Sequence, residues 1–274
     1  MSCCPRVPLK FWPKFMAHNS QNNVLITRPA GQAEALSLAA KAAGYCVYQQ
    51  PLLQLEPLAE LPMQQRQQLL DLDNYQHIIF VSGNAVRFGI GFIEDYWPQF
   101  PVQLNWYAVG AATAALLASH GLDVLAPQQD MSSEGLLALP PLQEVSGQRV
   151  LIVRGEGGRT RLREELLQRG AQVDDFPCYR RLPPDVSAAT FVRQLRDWQI
   201  GVIMLSSGEG LDNMLALLRS QETTKFSATA LIVPSQRIAV QAQEAGFGSV
   251  VIADNASDVA MLSALEQWTD SSGD

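Results

Sequence analysis

The sequence contains two diverged copies of one unit, and this repeat restricts the available folds more than any other feature. The segment VLITR at residues 24–28 returns as VLIVR at residues 150–154. Further along, at a nearly constant offset, HIIFVS at residues 77–82 corresponds to GVIMLS at residues 201–206. Chance explains such matches poorly when they recur in one order. The repeat therefore predicts that both copies form the same succession of strands and helices.

Short apolar runs within the repeat indicate the type of sheet. Residues 78–81 and 202–205 are apolar throughout, which is typical of strands that are buried on both faces of a parallel sheet. Helical patterns lie between such runs and end at glycines, for example Gly121 and Gly246. The sequence predicts an α/β protein with two doubly wound, flavodoxin-like parallel sheets that arise from the internal repeat.

Two proline-marked segments, residues 51–55 and 177–181, occupy equivalent places inside the two copies rather than between them. We interpret them as linkers at which the chain crosses from one domain to the other. The remaining residues then form two domains, 23–50 with 182–268 and 56–176. A simpler division, with one copy in each domain and a boundary near Ser146, stays open at this point. Two linkers side by side would form a hinge, with a cleft between two lobes.

The composition excludes several classes of protein. The chain has 274 residues, of which 47% are apolar and 17% charged, so it has enough apolar material for two cores. A net charge of −7 disfavours nucleic-acid binding through a basic face. No run approaches the roughly 18 apolar residues of a membrane span, so we expect no membrane insertion. Residues 1–22 lack the apolar core of a signal peptide and are interpreted as a disordered leader, or as the product of an upstream start codon with Met16 as the true start.

The four cysteines favour a reducing, cytoplasmic environment because they include no Cys-x-x-Cys pair and no metal-ligand spacing. Cys46 and Cys178 lie in strand-like runs and are predicted to be buried free thiols. A monomer is the default expectation for a chain of this kind.

Small and polar residues follow the predicted strands, at the sheet edge where parallel α/β proteins bind ligands. These candidate substrate-binding residues are Arg28, Ser82, Gly83 and Thr113 in the first copy, and Arg154, Ser207, Gly208 and Ser235 in the second. Backbone N–H groups at helix N-termini favour anions, and arginine binds carboxylates through two N–H groups. Any one loop is equally explained by a helix cap, and either arginine by a structural role. Together they predict an anion-binding cleft.

Several familiar catalytic signals are missing from the sequence. Residues 155–160 read GEGGRT instead of G-x-G-x-x-G, and no acidic residue ends the second strand, which disfavours a dinucleotide. The sequence has no Walker A lysine and no G-x-S-x-G elbow. None of the three histidines accompanies a plausible nucleophile or metal ligand. If the chain is an enzyme, we expect it to act without a metal ion or cofactor.

Four motifs together resemble the uroporphyrinogen-III synthase family. They are VLITRPAGQ at 24–32, IFVS at 79–82, YAVG at 107–110 and FPCYR at 176–180. The likeness covers about residues 23–268. It implies two α/β domains joined by a two-stranded linker, in agreement with the crossover division. It also implies a lyase of porphyrin and haem biosynthesis, which cyclises and dehydrates hydroxymethylbilane to uroporphyrinogen III and inverts the last pyrrole ring.

The resemblance also implies roles for particular residues. It makes Tyr179 the candidate catalytic residue, on the second linker, where its side chain could point into the cleft. A phenol is protonated at neutral pH and can donate to a departing hydroxyl group. A tyrosine that merely packs against one lobe is the alternative. Arg87 is either a further contact or a solvated helix residue. Serines and threonines at the family's cleft positions would bind substrate carboxylates, namely Ser82, Thr113, Ser207 and Ser235.

Two other functions stay open from the sequence. A hinged, two-lobed solute-binding protein for an anionic small molecule would have the same architecture, although exported receptors of that kind carry signal peptides. A two-domain sugar-nucleotide transferase ordinarily needs a longer chain and a defined base or diphosphate site. For the synthase, the expected partner is the tetrapyrrole substrate, together with a transient contact to the preceding pathway enzyme. No nucleic acid is expected.

Overall fold

The structure, a computed structural model, describes residues 22–157 and 160–272. Apart from Asn22, the predicted leader lies outside the described residues. The described chain divides into two compact units. The first unit ends at Gln54 and resumes at Pro183, and the second unit runs from Leu55 to Leu182.

The first unit contains a five-stranded sheet in which every neighbouring pair of strands is parallel. Its order is β11-β10-β9-β1-β2, with β1 at Asn23–Ile26, β2 at Cys46–Gln49, β9 at Val202–Met204, β10 at Ala230–Val233 and β11 at Val250–Ile252. The helices of this unit are α1 (Glu34–Ala42), α7 (Ala188–Asp197), α8 (Gly208–Lys225), α9 (Gln236–Glu244) and α10 (Asp258–Ser272).

The second unit contains a six-stranded sheet of order β3-β8-β7-β4-β5-β6, in which β8 to β6 are parallel. The strands are β3 (Gln54–Pro57), β4 (His77–Phe80), β5 (Asn105–Ala108), β6 (Val124–Leu125), β7 (Arg149–Gly155) and β8 (Gln172–Leu182). The helices are α2 (Met63–Leu70), α3 (Gly83–Tyr96), α4 (Ala111–Ala118), α5 (Ser133–Leu137) and α6 (Arg161–Gln168).

The two sheets show how the repeat is used. Strands β9, β10 and β11 of the second copy join β1 and β2 of the first copy, whereas β4, β5 and β6 of the first copy join β7 and β8 of the second. Equivalent strands occupy equivalent positions, so each sheet is assembled from parts of both copies. The predicted fold class, two doubly wound α/β units from an internal repeat, is confirmed.

Helices cover both faces of each sheet, which explains the uninterrupted apolar runs in the strands. In the second unit, Ile78 and Phe80 pack with residues of α2, α3 and α4, and Ile79 packs on the other face with residues of α5 and α6. In the first unit, Leu25 faces α7, α8 and α9, and Val24 faces α1 and α10. The residues that follow the strands form loops at the edges of the sheets.

Parts of the segments predicted to be linkers belong to strands of the second sheet. Residues 177–181 belong to β8, which is the neighbour of β3. Their backbone groups are paired there: Glu156 N donates to Tyr179 O at 2.7 Å, and Leu58 N donates to Cys178 O at 3.1 Å. Cys178 is buried as predicted, but the prediction for Cys46 was wrong. Cys46 is exposed because β2 is an edge strand.

A buried histidine at the start of β4 makes the stability of the second unit dependent on pH. His77 is 3% exposed, its Nε2 donates to Gln148 Oε1, and its Nδ1 accepts from the Tyr107 hydroxyl at 3.0 Å. Burial lowers the pKa of His77 from 6.5, because the charged ring is poorly solvated there. Near neutral pH the native state therefore holds this imidazole neutral.

We expect the free energy of unfolding to fall as the pH drops below about 6.5. At that pH the His77 imidazole binds a proton in the unfolded chain but not in the native state. This one group contributes a slope of at most about 1.4 kcal/mol per pH unit, until the pH reaches the lowered pKa of the folded state. Urea unfolding between pH 7.5 and 5.5 measures the slope. It should flatten in His77→Gln and persist in the control His120→Gln; equal slopes in wild type and His77→Gln would contradict the prediction.

Candidate functional site

A cavity of about 410 Å³ lies at the carboxyl edge of the second sheet. The strands β4, β5, β7 and β8 run parallel, so the residues that follow or end them come together at this edge. The described residues that line the cavity are Val81, Val109, Met131, Ser132, Ser133, Ile152, Arg154, Gly155, Gly157, Leu162 and Arg181. None of these is an aspartate or a glutamate. The described lining therefore contains two charged side chains, those of Arg154 and Arg181.

Arg154 stands near the end of β7 with its side chain only 13% exposed. Its Nη2 donates to Gly157 O at 2.6 Å, and its Nη1 contacts Asp175 Oδ1 at 3.3 Å. Asp175 also forms an ion pair with Arg163 at 3.1 Å, so one carboxylate pairs with two guanidinium groups. The group of three side chains keeps an excess positive charge beside the cavity. This charge favours an anionic ligand although the whole chain is acidic.

Tyr179 lies directly behind the cavity wall rather than on a free linker. The register between β7 and β8 shifts at this point, because Arg154 pairs with Pro177 whereas Gly155 pairs with Tyr179. This bulge allows two consecutive residues, Cys178 and Tyr179, to join the same core cluster. Tyr179 has no exposed surface. The side chain was expected to point into a cleft; instead it packs into the core of the second unit, which is the alternative that the sequence left open.

The contacts of the phenol connect it to two residues that line the cavity. Its ring stacks at a tilt on Phe88, with centroids 5.2 Å apart. Arg181 Nη2 donates to the phenol oxygen at 3.3 Å, and the guanidinium carbon lies 5.7 Å from the ring centroid. A Cβ atom on Gly155 would lie 2.6 Å from Tyr179 Cζ. Gly155 and Arg181 thus stand between the hydroxyl and the cavity.

The other candidates in the second unit border the same sheet edge but do not line the cavity. Ser82 caps α3, accepting from Ala85 N at 3.2 Å, and Gly83 is the first residue of that helix. Thr113 lies in the first turn of α4 and is 7% exposed. Arg87 is exposed and donates to Asn84 Oδ1 at 3.1 Å.

The candidates of the first unit follow β1, β9 and β10 at the corresponding edge of the first sheet. Arg28 is 14% exposed, forms an ion pair with Asp258 and donates to Ala256 O at 2.6 Å. Ser207 caps α8, accepting from Gly210 N at 3.1 Å. Gly208 is the first residue of α8 and Ser235 precedes α9. Arg28 thus already binds a carboxylate of its own chain.

Sequence reasoning missed the three other polar side chains that line the cavity: Arg181, Ser132 and Ser133. Ser132 caps α5 by accepting from Gly135 N at 3.2 Å, a signal that the sequence carries as a serine before a short apolar run. Arg181 stands two residues beyond Tyr179 on a strand, where alternation predicts a shared face. The register of β8 was needed to recognise that relation.

Within the described part of the chain, no cluster of three or more His, Cys, Asp or Glu side chains could hold a metal ion. Within the same residues, no helix is both long enough and apolar enough to cross a membrane.

Similarity to known proteins identifies the family. A family model described as "Uroporphyrinogen-III synthase HemD" matches residues 34–263. The chain belongs to the uroporphyrinogen-III synthase family. It is 32% identical over 249 residues to the uroporphyrinogen-III synthase of Escherichia coli K12. The alignment covers 89% of this chain and 100% of that protein. The synthase of Synechococcus elongatus is 27% identical over 256 residues, covering 89% and 94%.

Solved structures of the family share the fold. A mutant uroporphyrinogen III synthase from Thermus thermophilus superposes with a TM-score of 0.59 at 16% identity, covering 91% of this chain and 99% of that one. The Helicobacter pylori enzyme gives a TM-score of 0.55 at 17% identity, covering 91% and 98%. The family match and the named relatives do not favour the solute-binding alternative.

Proposed function

We propose that this chain catalyses the cyclodehydration of hydroxymethylbilane to uroporphyrinogen III, with inversion of the last pyrrole ring. It would act as a cyclising lyase of porphyrin and haem biosynthesis. The observation that carries the proposal is membership of the synthase family over residues 34–263. The cavity with two arginines and no acidic residue in its described lining suits a substrate that bears many acetate and propionate groups.

Each unit carries proposed carboxylate-binding residues at the carboxyl edge of its own sheet. In the second unit, Arg154 faces the cavity from the end of β7, close to the helix that Ser82 caps. Helix N-termini and guanidinium groups both stabilise carboxylates. The proposed carboxylate-binding residues are Arg154, Ser82, Gly83 and Thr113 in the second unit, and Arg28, Ser207, Gly208 and Ser235 in the first. At Arg28, a substrate carboxylate competes with Asp258.

Tyr179 is the proposed proton donor. Its O–H donates a proton to the leaving hydroxyl, which departs as water while the electron pair of the pyrrole nitrogen forms an azafulvenium ion. The phenolate takes a proton back from the N–H group of that ion, which leaves the neutral azafulvene. Little acid strength is required because that nitrogen expels the hydroxyl. The burial of Tyr179 requires that its hydroxyl be uncovered when substrate binds, and catalytic hydrogen bonds commonly form only in the complex.

Control of conformation is the larger part of the proposed mechanism. Free hydroxymethylbilane closes by itself to the uninverted isomer. The protein must hold the chain so that the substituted carbon of the last ring attacks, through a spiro intermediate. Several fixed carboxylate contacts would restrict the flexible substrate to that geometry. Few proton-transferring side chains are needed for such a task.

Replacing Arg154 by alanine is expected to raise KM by about tenfold and to lower kcat less, because the lost contact holds both the substrate and the transition state. Steady-state kinetics on hydroxymethylbilane measure the two constants. Arg163→Ala is the matched control, since Arg163 shares Asp175 but does not line the cavity. Equal effects of the two substitutions would assign Arg154 a structural role only.

The test of the proposed function is isomer analysis. Purified protein is incubated with freshly prepared hydroxymethylbilane, and the products are oxidised and separated by chromatography. A predominance of the type III isomer is expected. Type I product alone, as in a protein-free control, would overturn the proposal. The solute-binding alternative would then be favoured.

We further propose a cytoplasmic, monomeric enzyme that contacts the preceding pathway enzyme transiently. The dispersed cysteines support the reducing location. The spontaneous closure of hydroxymethylbilane supports the contact, because a short transfer time leaves less substrate to form the wrong isomer.

A further inference from the structure

Arg181 is the one described residue that both lines the cavity and donates a hydrogen bond to the Tyr179 side chain. It stands near the end of β8, two residues beyond the tyrosine and on the exposed part of the strand. One of its N–H groups donates to the phenol oxygen at 3.3 Å, and the ring has no exposed surface. Arg181 and Gly155 therefore both lie between the cavity and the phenol.

A carboxylate in the cavity competes with the phenol for this guanidinium group. Hydrogen bonds from arginine to an ionised carboxylate are shorter and stronger than those to a neutral hydroxyl, and two N–H groups can engage the same carboxylate. The described lining of the cavity contains no acidic side chain, so a carboxylate ligand meets no like charge on that wall. The Arg181 side chain has several rotatable bonds, so it can turn toward such a ligand without a change in β8.

We propose that Arg181 is a substrate-responsive positioning residue: it covers the Tyr179 hydroxyl in the free chain and turns to a substrate carboxylate in the cavity, which uncovers the hydroxyl for the reaction. This inference rests on the proposed function and adds to it a coupling between carboxylate binding and the availability of Tyr179. The hydroxyl becomes free to donate only when a substrate of the correct charge is bound.

The coupling predicts how substitutions at the two positions combine. Arg181→Gln removes the carboxylate contact that holds the substrate's leaving group beside the uncovered phenol, so KM rises by about tenfold and kcat falls by about three- to tenfold. In a Tyr179→Phe background there is no proton donor beside which the leaving group could be held. There, Arg181→Gln should still raise KM but leave the already lowered kcat nearly unchanged, so the two effects on kcat are not additive.

The test is a double-mutant cycle on the full chain, with kcat, KM and the ratio of type III to type I product measured on hydroxymethylbilane. Arg180→Gln is the matched control: it removes an adjacent arginine from the same strand, whose contact is Glu156 at 3.8 Å at the surface. It should retain wild-type constants. Arg181→Lys keeps the charge and should recover part of the loss in KM. Thermal unfolding of each variant establishes that it is folded.

Additive effects of Arg181→Gln and Tyr179→Phe on kcat would overturn the coupling, as would equal constants for Arg181→Gln and Arg180→Gln. The two levels of the hypothesis are distinguishable. If the wild-type protein forms no type III product, the proposed function fails. If the wild type forms it and the cycle is additive, only the role of Arg181 fails.

Discussion

Tyr179→Phe is expected to lower kcat by about 10- to 1,000-fold, if the phenol donates the proton to the leaving hydroxyl. Phenylalanine keeps the ring that stacks on Phe88 and removes only the hydroxyl that accepts from Arg181. The free energy of unfolding should therefore change by no more than about 1 kcal/mol, the usual contribution of one hydrogen bond. Initial rates with saturating hydroxymethylbilane, combined with urea unfolding, separate the catalytic effect from a loss of folded protein.

Tyr107→Phe is the matched control, because Tyr107 is another fully buried tyrosine of the second unit with a hydrogen-bonded hydroxyl, in this case to His77. It should cost stability without a comparable loss of kcat. A Tyr179→Phe variant with wild-type kcat would remove the phenol from the mechanism. Similar losses for both variants would indicate that disturbance of the core, and not chemistry, lowers the rate.

Gly155→Ala is expected to destabilise the second unit by about 1–3 kcal/mol and to lower kcat by about tenfold or more. An alanine Cβ would lie 2.6 Å from Cζ and 3.0 Å from the hydroxyl oxygen of Tyr179. The ring is fully buried against Phe88, so it cannot move away without strain in the core. Overpacking and displacement of the proposed proton donor therefore have the same cause.

Urea unfolding and steady-state kinetics test this prediction. Gly91→Ala is the control, since Gly91 lies in α3 with no atom within 4 Å of an added Cβ. Alanine there should stabilise the helix by about 0.5–1 kcal/mol and leave the kinetics unchanged. A Gly155→Ala variant with wild-type stability and kcat would show that the Tyr179 ring has room to move.

The internal repeat made the fold predictable. Apolar runs such as 78–81 required burial on both faces, and the succession of strands and glycine-terminated helices required parallel sheets. Both sheets have the form that these local patterns predicted. The same reasoning put Ser82 and Arg154 at the carboxyl edge of the second sheet, because that edge follows from strand direction alone.

The site was less predictable, and Tyr179 shows the reason. Its neighbours in sequence suggested an extended linker with an accessible phenol, whereas pairing with Gly155 across a bulge turns it into the core. Arg28 likewise was expected to be available for a ligand, but its partner Asp258 comes from the start of the last helix. Neither contact could be inferred from residues that lie so far apart in the chain.

The sequence alone determined the class of fold, the repeat, the edge of each sheet at which binding groups collect, and the family that the motifs resemble. These depend on periodicity, turn residues and strand direction, which are local properties of the chain. Only the tertiary structure decided which strands share a sheet, which arginines line the cavity and what covers Tyr179. Those properties depend on register and on side-chain contacts between distant segments, which no local pattern encodes.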